Sequence, residues 1–359
     1  MAAPVRFAVV GVGDIAQRAV LPAFDHARGK AELTALVSGG AGKRRVLGRR
    51  FRGVITCGYD DYDNLLASGA VDAVYIALPN EMHRDFALRA MASRIHVLSE
   101  KPMATTVADA RAMTRAAERS GVQVMVAYRL HFDPATLAAV DLARQKRAGA
   151  LRIFASLFSS PVARGDIRLT REGRGGLFDL GIYCVNAARM VFHSEPTEVV
   201  AMHAGLGTGR FREVPEMTAA VLRYPGERLA MFICSLDAYR GSTWTALTEN
   251  RLVRMEPAYT YHEPLVLKVQ TDSGTRVRRY GVHDQFAAEL DHFVARIRSG
   301  RKVEPSGREG EADIRILDAI DRSARTGRRV RLGRVPRDRA PQRRQARAHP
   351  PVRKVRIVE

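Results

Sequence analysis

A chain of 359 residues suits two domains better than one, and with 46% apolar and 27% charged residues it should build packed cores, which excludes general disorder. No apolar run approaches 18 residues, so no membrane-spanning helix is expected, and Cys57, Cys184 and Cys234 are too scattered for a disulfide framework or a zinc site. The formal charge of +20 invites a nucleic-acid reading, yet only 7 of the 58 cations are lysines and the arginines run along the whole chain, a general bias that argues against a nucleic-acid partner.

A strand pattern starts at Val5, leaving no room before it for an export signal, so a cytoplasmic protein is expected. Residues 1–125 alternate Val/Ile/Ala-rich runs (5–12, 33–38, 71–78, 96–100, 122–128) with helical patterns (82–93, 107–121). Strands of that texture are buried on both faces, and the alternation predicts a doubly wound parallel sheet, a Rossmann domain. Gly11-Val12-Gly13-Asp14-Ile15-Ala16 follows the first strand and opens a helix. Gly11 permits the tight turn, Gly13 lets a pyrophosphate approach the backbone, and Ala16 is small enough for helix–strand packing. Where an NAD site places an acid after the second strand, this chain reads Ser38, Gly39, Gly40, Ala41, Gly42, Lys43, Arg44. A hydroxyl followed by cations suits the 2′-phosphate of NADP, which an acid would repel. Lys101, in Ser99-Glu100-Lys101-Pro102, follows the strand run at 96–100 and should point into the cofactor crevice. In a chain that uses arginine for surface charge, a lysine there suggests a compact donor.

Residues 126–332 change in texture. Runs at 151–158, 198–204, 217–224, 228–237, 265–271 and 275–281 read as strands, with turns at Pro225-Gly226 and Asp272-Ser273-Gly274, so a mostly antiparallel second domain is expected. Gly175-Gly176 precede a helix whose first turn should carry Asp179 and Tyr183 on one face. A carboxylate and a phenol opposite a lysine can take a proton from an alcohol as hydride leaves; taken alone, the spacing is better read as a capping aspartate and a packed tyrosine. Amphipathic helices at 284–300 and 311–327 close the ordered part. The tail 333–359, dense in Arg and Pro, is expected to be disordered and dispensable for catalysis.

GVGDIAQ, LVSG, YIALPNEMH, SEKPMATTVADA, VAYRLHFDP and DLGIYCVNAARMVFHSEP together resemble the Gfo/Idh/MocA oxidoreductase family over residues 5–332, closest to its glucose–fructose oxidoreductase branch. The resemblance implies an α/β chain: a Rossmann domain followed by an α+β domain with a large, open, mostly antiparallel sheet that makes homodimers or homotetramers. It implies Lys101, Asp179 and Tyr183 as the catalytic set, with Asn80 and Arg129 in the same cleft. The cofactor contacts would be Gly11, Gly13, Asp14, Ile15, Ala16, Ser38, Gly39, Lys43, Arg44, Leu78, Asn80, His83, Glu100, Lys101 and Arg129, with no metal. No arm precedes the first strand, which favours exchangeable NADP, and the basic tail has no counterpart in the family pattern. The expected reaction is oxidation of an aldose such as glucose or xylose at C1 to a lactone. Tyr183 would be the base, Lys101 would favour its phenolate and hold the reacting hydroxyl, and Asp179 would orient substrate and tyrosine. An inositol or diol dehydrogenase is the alternative within the family. A non-catalytic NADP- and sugar-sensing protein is the alternative outside it, and a sensor needs no proton acceptor.

Overall fold

The computed structural model describes residues 3–333, 340–353 and 355–358. Six strands form the first sheet: β1 (Val5–Val10), β2 (Ala31–Val37), β3 (Ile55–Cys57), β4 (Ala73–Ile76), β5 (His96–Ser99) and β6 (Val124–Val126). All pair in parallel, in the order β3-β2-β1-β4-β5-β6. Apart from the edge strand β3, where Ile55 and Thr56 are exposed, these strands are largely buried on both faces, as the unbroken apolar runs require. Between them lie α1 (Leu21–His26), α2 (Ala41–Arg50), α3 (Tyr62–Ala67), α4 (His83–Ala92) and α5 (Val107–Ser120). Thr106 caps α5 by accepting from the Asp109 amide, and Gly121 ends it at φ +69°. Strand order reverses between β1 and β4, so the crevice beyond their carboxyl ends is the natural ligand site.

The second sheet runs β14-β13-β12-β11-β7-β10-β9-β8-β15. Its strands are β7 (Leu151–Ser159), β8 (Glu198–Ala204), β9 (Met217–Tyr224), β10 (Arg228–Ser235), β11 (Gly241–Thr248), β12 (Leu252–Met255), β13 (Leu265–Thr271), β14 (Gly274–Tyr280) and β15 (Val330–Arg331). Only the β7–β10 pair is parallel. One face packs on α6 (Pro134–Arg144), α7 (Ile182–Phe192) and α9 (Gly307–Thr326). The other leaves Ile153, Leu157, Val200, Met202, Val221, Leu229, Met231 and Ile233 exposed. This is the expected α/β pairing of a parallel sheet with a large, mostly antiparallel one. Helix α8 (Gln285–Ser299), however, returns to the first domain, where Phe286, Leu290 and Phe293 join the core around Phe7 and Phe24.

The tail departs from its expectation of disorder. Residues 334–339, 354 and 359 lie outside the described residues, but the rest packs against residues of both domains. Ala340 and Gln345 are buried while Arg343 and Arg344 face solvent, so the arginines that make the segment look unstructured are its outer face. Gln345 donates to Glu304, Arg347 N to Phe132 O (3.1 Å), and Asp284 N to His349 O (3.2 Å). Val358 exchanges two hydrogen bonds with the buried Gln17 amide (2.7 and 2.9 Å), which also donates to Val12 O in the glycine turn (2.9 Å). Ending the chain at Gly333 should therefore cost roughly 1–3 kcal/mol, at about 1 kcal/mol per net hydrogen bond less the entropy of ordering. A thermal melt should show a lowered Tm. An unchanged Tm would mean that the docked tail holds nothing.

Candidate active site

The crevice is entered from the glycine turn. Gly11 sits at φ +89°, and a Cβ there would lie 2.5 Å from Ala77 O, so no side chain fits between β1 and β4. A Cβ on Gly13 would meet nothing within 4 Å, the open space that a pyrophosphate needs beside the backbone. The helical turn Ala16–Val20 follows, with Ala16 fully buried. Ile15 is half-buried, and Asp14 is exposed and paired with Arg18 at 2.6 Å. At the end of β2, Ser38 is buried, and Arg44 is turned back onto the Ser38 and Gly39 carbonyls (2.5 and 3.0 Å). Lys43 stands in the first turn of α2, above Gly40. These residues fit a dinucleotide, and the stretch 38–45 after β2 carries no acid.

Lys101 follows β5 with a cis bond to Pro102. Its Nζ lies 2.7 Å from Asp179 Oδ1 and 3.2 Å from Asp179 O, and 5.1 Å from the centre of the Tyr183 ring. Lys101 and Asp179 are mostly buried, with 13% and 21% of their side chains exposed. Burial disfavours the Lys101 charge, but Asp179 and Tyr183 outweigh it and raise the pKa above the ordinary lysine range. Burial likewise opposes the Asp179 charge, but Lys101 and Arg168 hold its carboxyl at about 2. Lys101 is thus a fixed cation at neutral pH rather than a proton acceptor. The Tyr183 hydroxyl accepts from Arg129 Nη2 at 3.3 Å, and Arg129 also donates to Gln285, Tyr259 O and Thr260 O, which fixes its plane. A small pocket lined by Lys101, Tyr128, Leu130, Ile182, Tyr183 and Asn186 opens beside this group.

Several sequence expectations shift here. Asp179 lies not in a regular first turn but in the wide turn Leu177–Gly181 ahead of α7. Its oxygens go to Lys101 and, at 3.1 Å, to Arg168, so it orients the lysine and not the tyrosine. His83 is fully buried, with Nδ1 on Pro102 O (2.9 Å) and Nε2 on Leu78 O (2.8 Å), leaving no ring nitrogen for a cofactor. It braces the Lys101–Pro102 turn instead. Both Glu100 oxygens are likewise engaged, by the Tyr75 hydroxyl (2.9 Å) and the Lys101 amide (3.2 Å). Asn80 donates to Gly173 O (3.2 Å), across to the second domain, and Leu78 packs under Gly11. Arg168, which the sequence does not single out, enters the site from the turn Ile167–Leu169 with its guanidinium fixed by Asp166 (2.7 Å). The Asp-x-Arg spacing was the one available signal, lost among so many arginines.

Residues 5–128 match the model of an oxidoreductase family with an NAD-binding Rossmann fold, and residues 136–253 match the GFO/IDH/MocA C-terminal domain. The structure of an aldose–aldose oxidoreductase from Caulobacter crescentus, complexed with glycerol, is 31% identical with TM-score 0.87, over 92% of this chain and 100% of that one. The chain belongs to the Gfo/Idh/MocA oxidoreductase family. This family member is an NAD(P)-dependent oxidoreductase. It is also similar to a D-xylose 1-dehydrogenase (NADP+) of Haloarcula marismortui, 29% identical over 92% of this chain and 93% of the relative. A 3-ketoreductase from Actinomadura kijaniata, solved with NADP and TDP-benzene, is 26% identical with TM-score 0.81, over 89% of this chain and 98% of that one. Among the described residues no helix is long and apolar enough to cross a membrane.

Proposed function

We propose that this oxidoreductase acts on sugars, using NADP to oxidise an aldose of the glucose or xylose type at C1 to a lactone. The observation that carries the reading is the Lys101 ammonium, fixed by Asp179 and set over the ring of Tyr183, whose hydroxyl faces Arg129. NADP, when bound, supplies the hydride acceptor. Tyr183 takes the proton of the reacting hydroxyl, with the Arg129 guanidinium on its oxygen and the Lys101 ammonium over its ring. Lys101 holds that hydroxyl, while Asp179 and Arg168 hold Lys101. The glycerol, xylose and aldose in the names of the relatives support a polyhydroxylated substrate. Turnover of an aldose and polyol panel with NADP, read by nicotinamide absorbance, tests this. Activity confined to cyclic polyols or diols would replace the aldose reading.

The cofactor part rests on Ser38 and Lys43. Lys43→Ala should weaken NADP by roughly 1–3 kcal/mol, the worth of a hydrogen bond to a charged group, and leave NAD untouched. Titration with both nucleotides checks it; equal losses would remove the 2′-phosphate assignment. The apolar outer face around Met202, Met231 and Ile233 suits a second copy of the chain, in the expected homodimer or homotetramer.

A further inference from the structure

Asn186 lies one helical turn beyond Tyr183 on α7 and shares the pocket wall with Lys101, Tyr128 and Tyr183. Nothing in the reaction as described uses it, yet its amide is fixed at both ends. Nδ2 donates to Asp313 Oδ2 at 2.9 Å, and Oδ1 faces His131 Nε2 at 2.8 Å. Since Asp313 can only accept, the amide orientation follows, and His131 must donate from Nε2. His131 Nδ1 faces Glu304 Oε1 at 2.6 Å, a geometry that suits a fully buried ring protonated at both nitrogens. Burial opposes that charge, but Glu304 and Glu309 outweigh it and raise the His131 pKa. Glu304 is held in turn by Gln345 of the tail. A charged pair buried behind a neutral amide is an expensive way to pack a helix, and it makes sense where the amide must not rotate.

We propose that Asn186 recognises the substrate hydroxyl next to the reacting carbon, with His131 and Glu304 as positioning residues behind it. An amide so clamped keeps one Nδ2 hydrogen and one Oδ1 lone pair, and a hydroxyl is both acceptor and donor, so one substrate OH satisfies both. Asn186 is a turn away from Tyr183, which places the recognised hydroxyl beside the carbon that loses hydride. For an aldose oxidised at C1 this is the C2 hydroxyl. The ligand class is therefore a vicinal hydroxy compound rather than a simple alcohol.

The inference rests on the aldose reading, and the test separates the two. Wild type, Asn186→Ala and Glu304→Gln are each assayed with NADP on D-glucose and on 2-deoxy-D-glucose, with D-xylose as a second aldose. A site built to hydrogen-bond a hydroxyl rejects the analogue lacking it, so the wild type should prefer D-glucose at least about tenfold in kcat/KM. Asn186→Ala should erase that preference by losing activity on D-glucose alone. Glu304→Gln keeps the volume but loosens His131, and should raise KM for D-glucose several-fold while leaving kcat on the deoxy sugar and KM for NADP in place. Equal losses on both sugars would reduce Asn186 and Glu304 to packing and overturn the proposal, though the aldose reading would stand. A wild type that oxidises none of the three sugars would remove the aldose reading and the Asn186 assignment with it.

Discussion

Tyr183→Phe should cut turnover roughly 10²–10⁴-fold, the usual worth of a general base, while NADP binds nearly as before. The change removes the hydroxyl that accepts from Arg129, but the ring keeps its contacts with Phe158 and Tyr259, so the pocket stays in shape. Lys101→Ala should lose at least as much. It removes the cation over the Tyr183 ring and one of the two cations that pair with Asp179, the other being Arg168. Asp179→Asn should be milder, because Arg168 is still held by Asp166 and an amide oxygen can still accept from Lys101. The pH profile separates these roles. Asp179 is held at about 2 and Lys101 is pushed above its ordinary range, so both stay charged from about pH 4 to pH 10. Neither group should therefore put a step into the pH–rate profile inside that window. Steady-state kinetics on the best sugar decide it. Near wild-type turnover by Tyr183→Phe would sink the mechanism.

What the sequence made legible was local. The Gly11–Ala16 turn, the lysine after β5 and the Asp179–Tyr183 spacing are each written in a few adjacent residues whose physical demands are narrow. The parallel sheet was legible for the same reason, since strands buried on both faces have to be apolar throughout. Contacts assembled across the chain were not. Arg168 reaches Asp179 from a long loop and looks like any other arginine. β11, with the sequence GSTWTALT, reads as polar, although Trp244 and Ala246 are core residues. His83 occupies a motif position yet braces a turn, because both nitrogens meet backbone carbonyls. Composition misled in the tail, where a few anchors (Gln345, His349, Val358) outweigh the solvated arginines around them.

Arg189→Met should destabilise the second domain by roughly 3–5 kcal/mol, the cost of removing one partner from a buried ion pair. Arg189 is 1% exposed and ties together three acids: Glu195 at 2.7 Å, Glu309 at 2.9 Å and Asp313 at 2.7 Å. Methionine fills much of the same volume, so the loss would be electrostatic rather than a cavity. Burial already raises the Asp313 carboxyl against the pull of Arg189, and without the guanidinium the opposition to burial falls to the hydrogen bonds from Tyr128 and Asn186. The sign of the pH effect follows. The folded variant would bind protons on these acids that its unfolded chain does not, so its stability falls as pH rises. The deficit against wild type should accordingly be smaller near pH 5 than near pH 8 in urea denaturation. Because Asp313 also fixes Asn186, the same variant should raise KM for its sugar even at temperatures where it is fully folded. A deficit that does not change with pH would mean that the three acids find other partners, and that Arg189 contributes packing rather than charge.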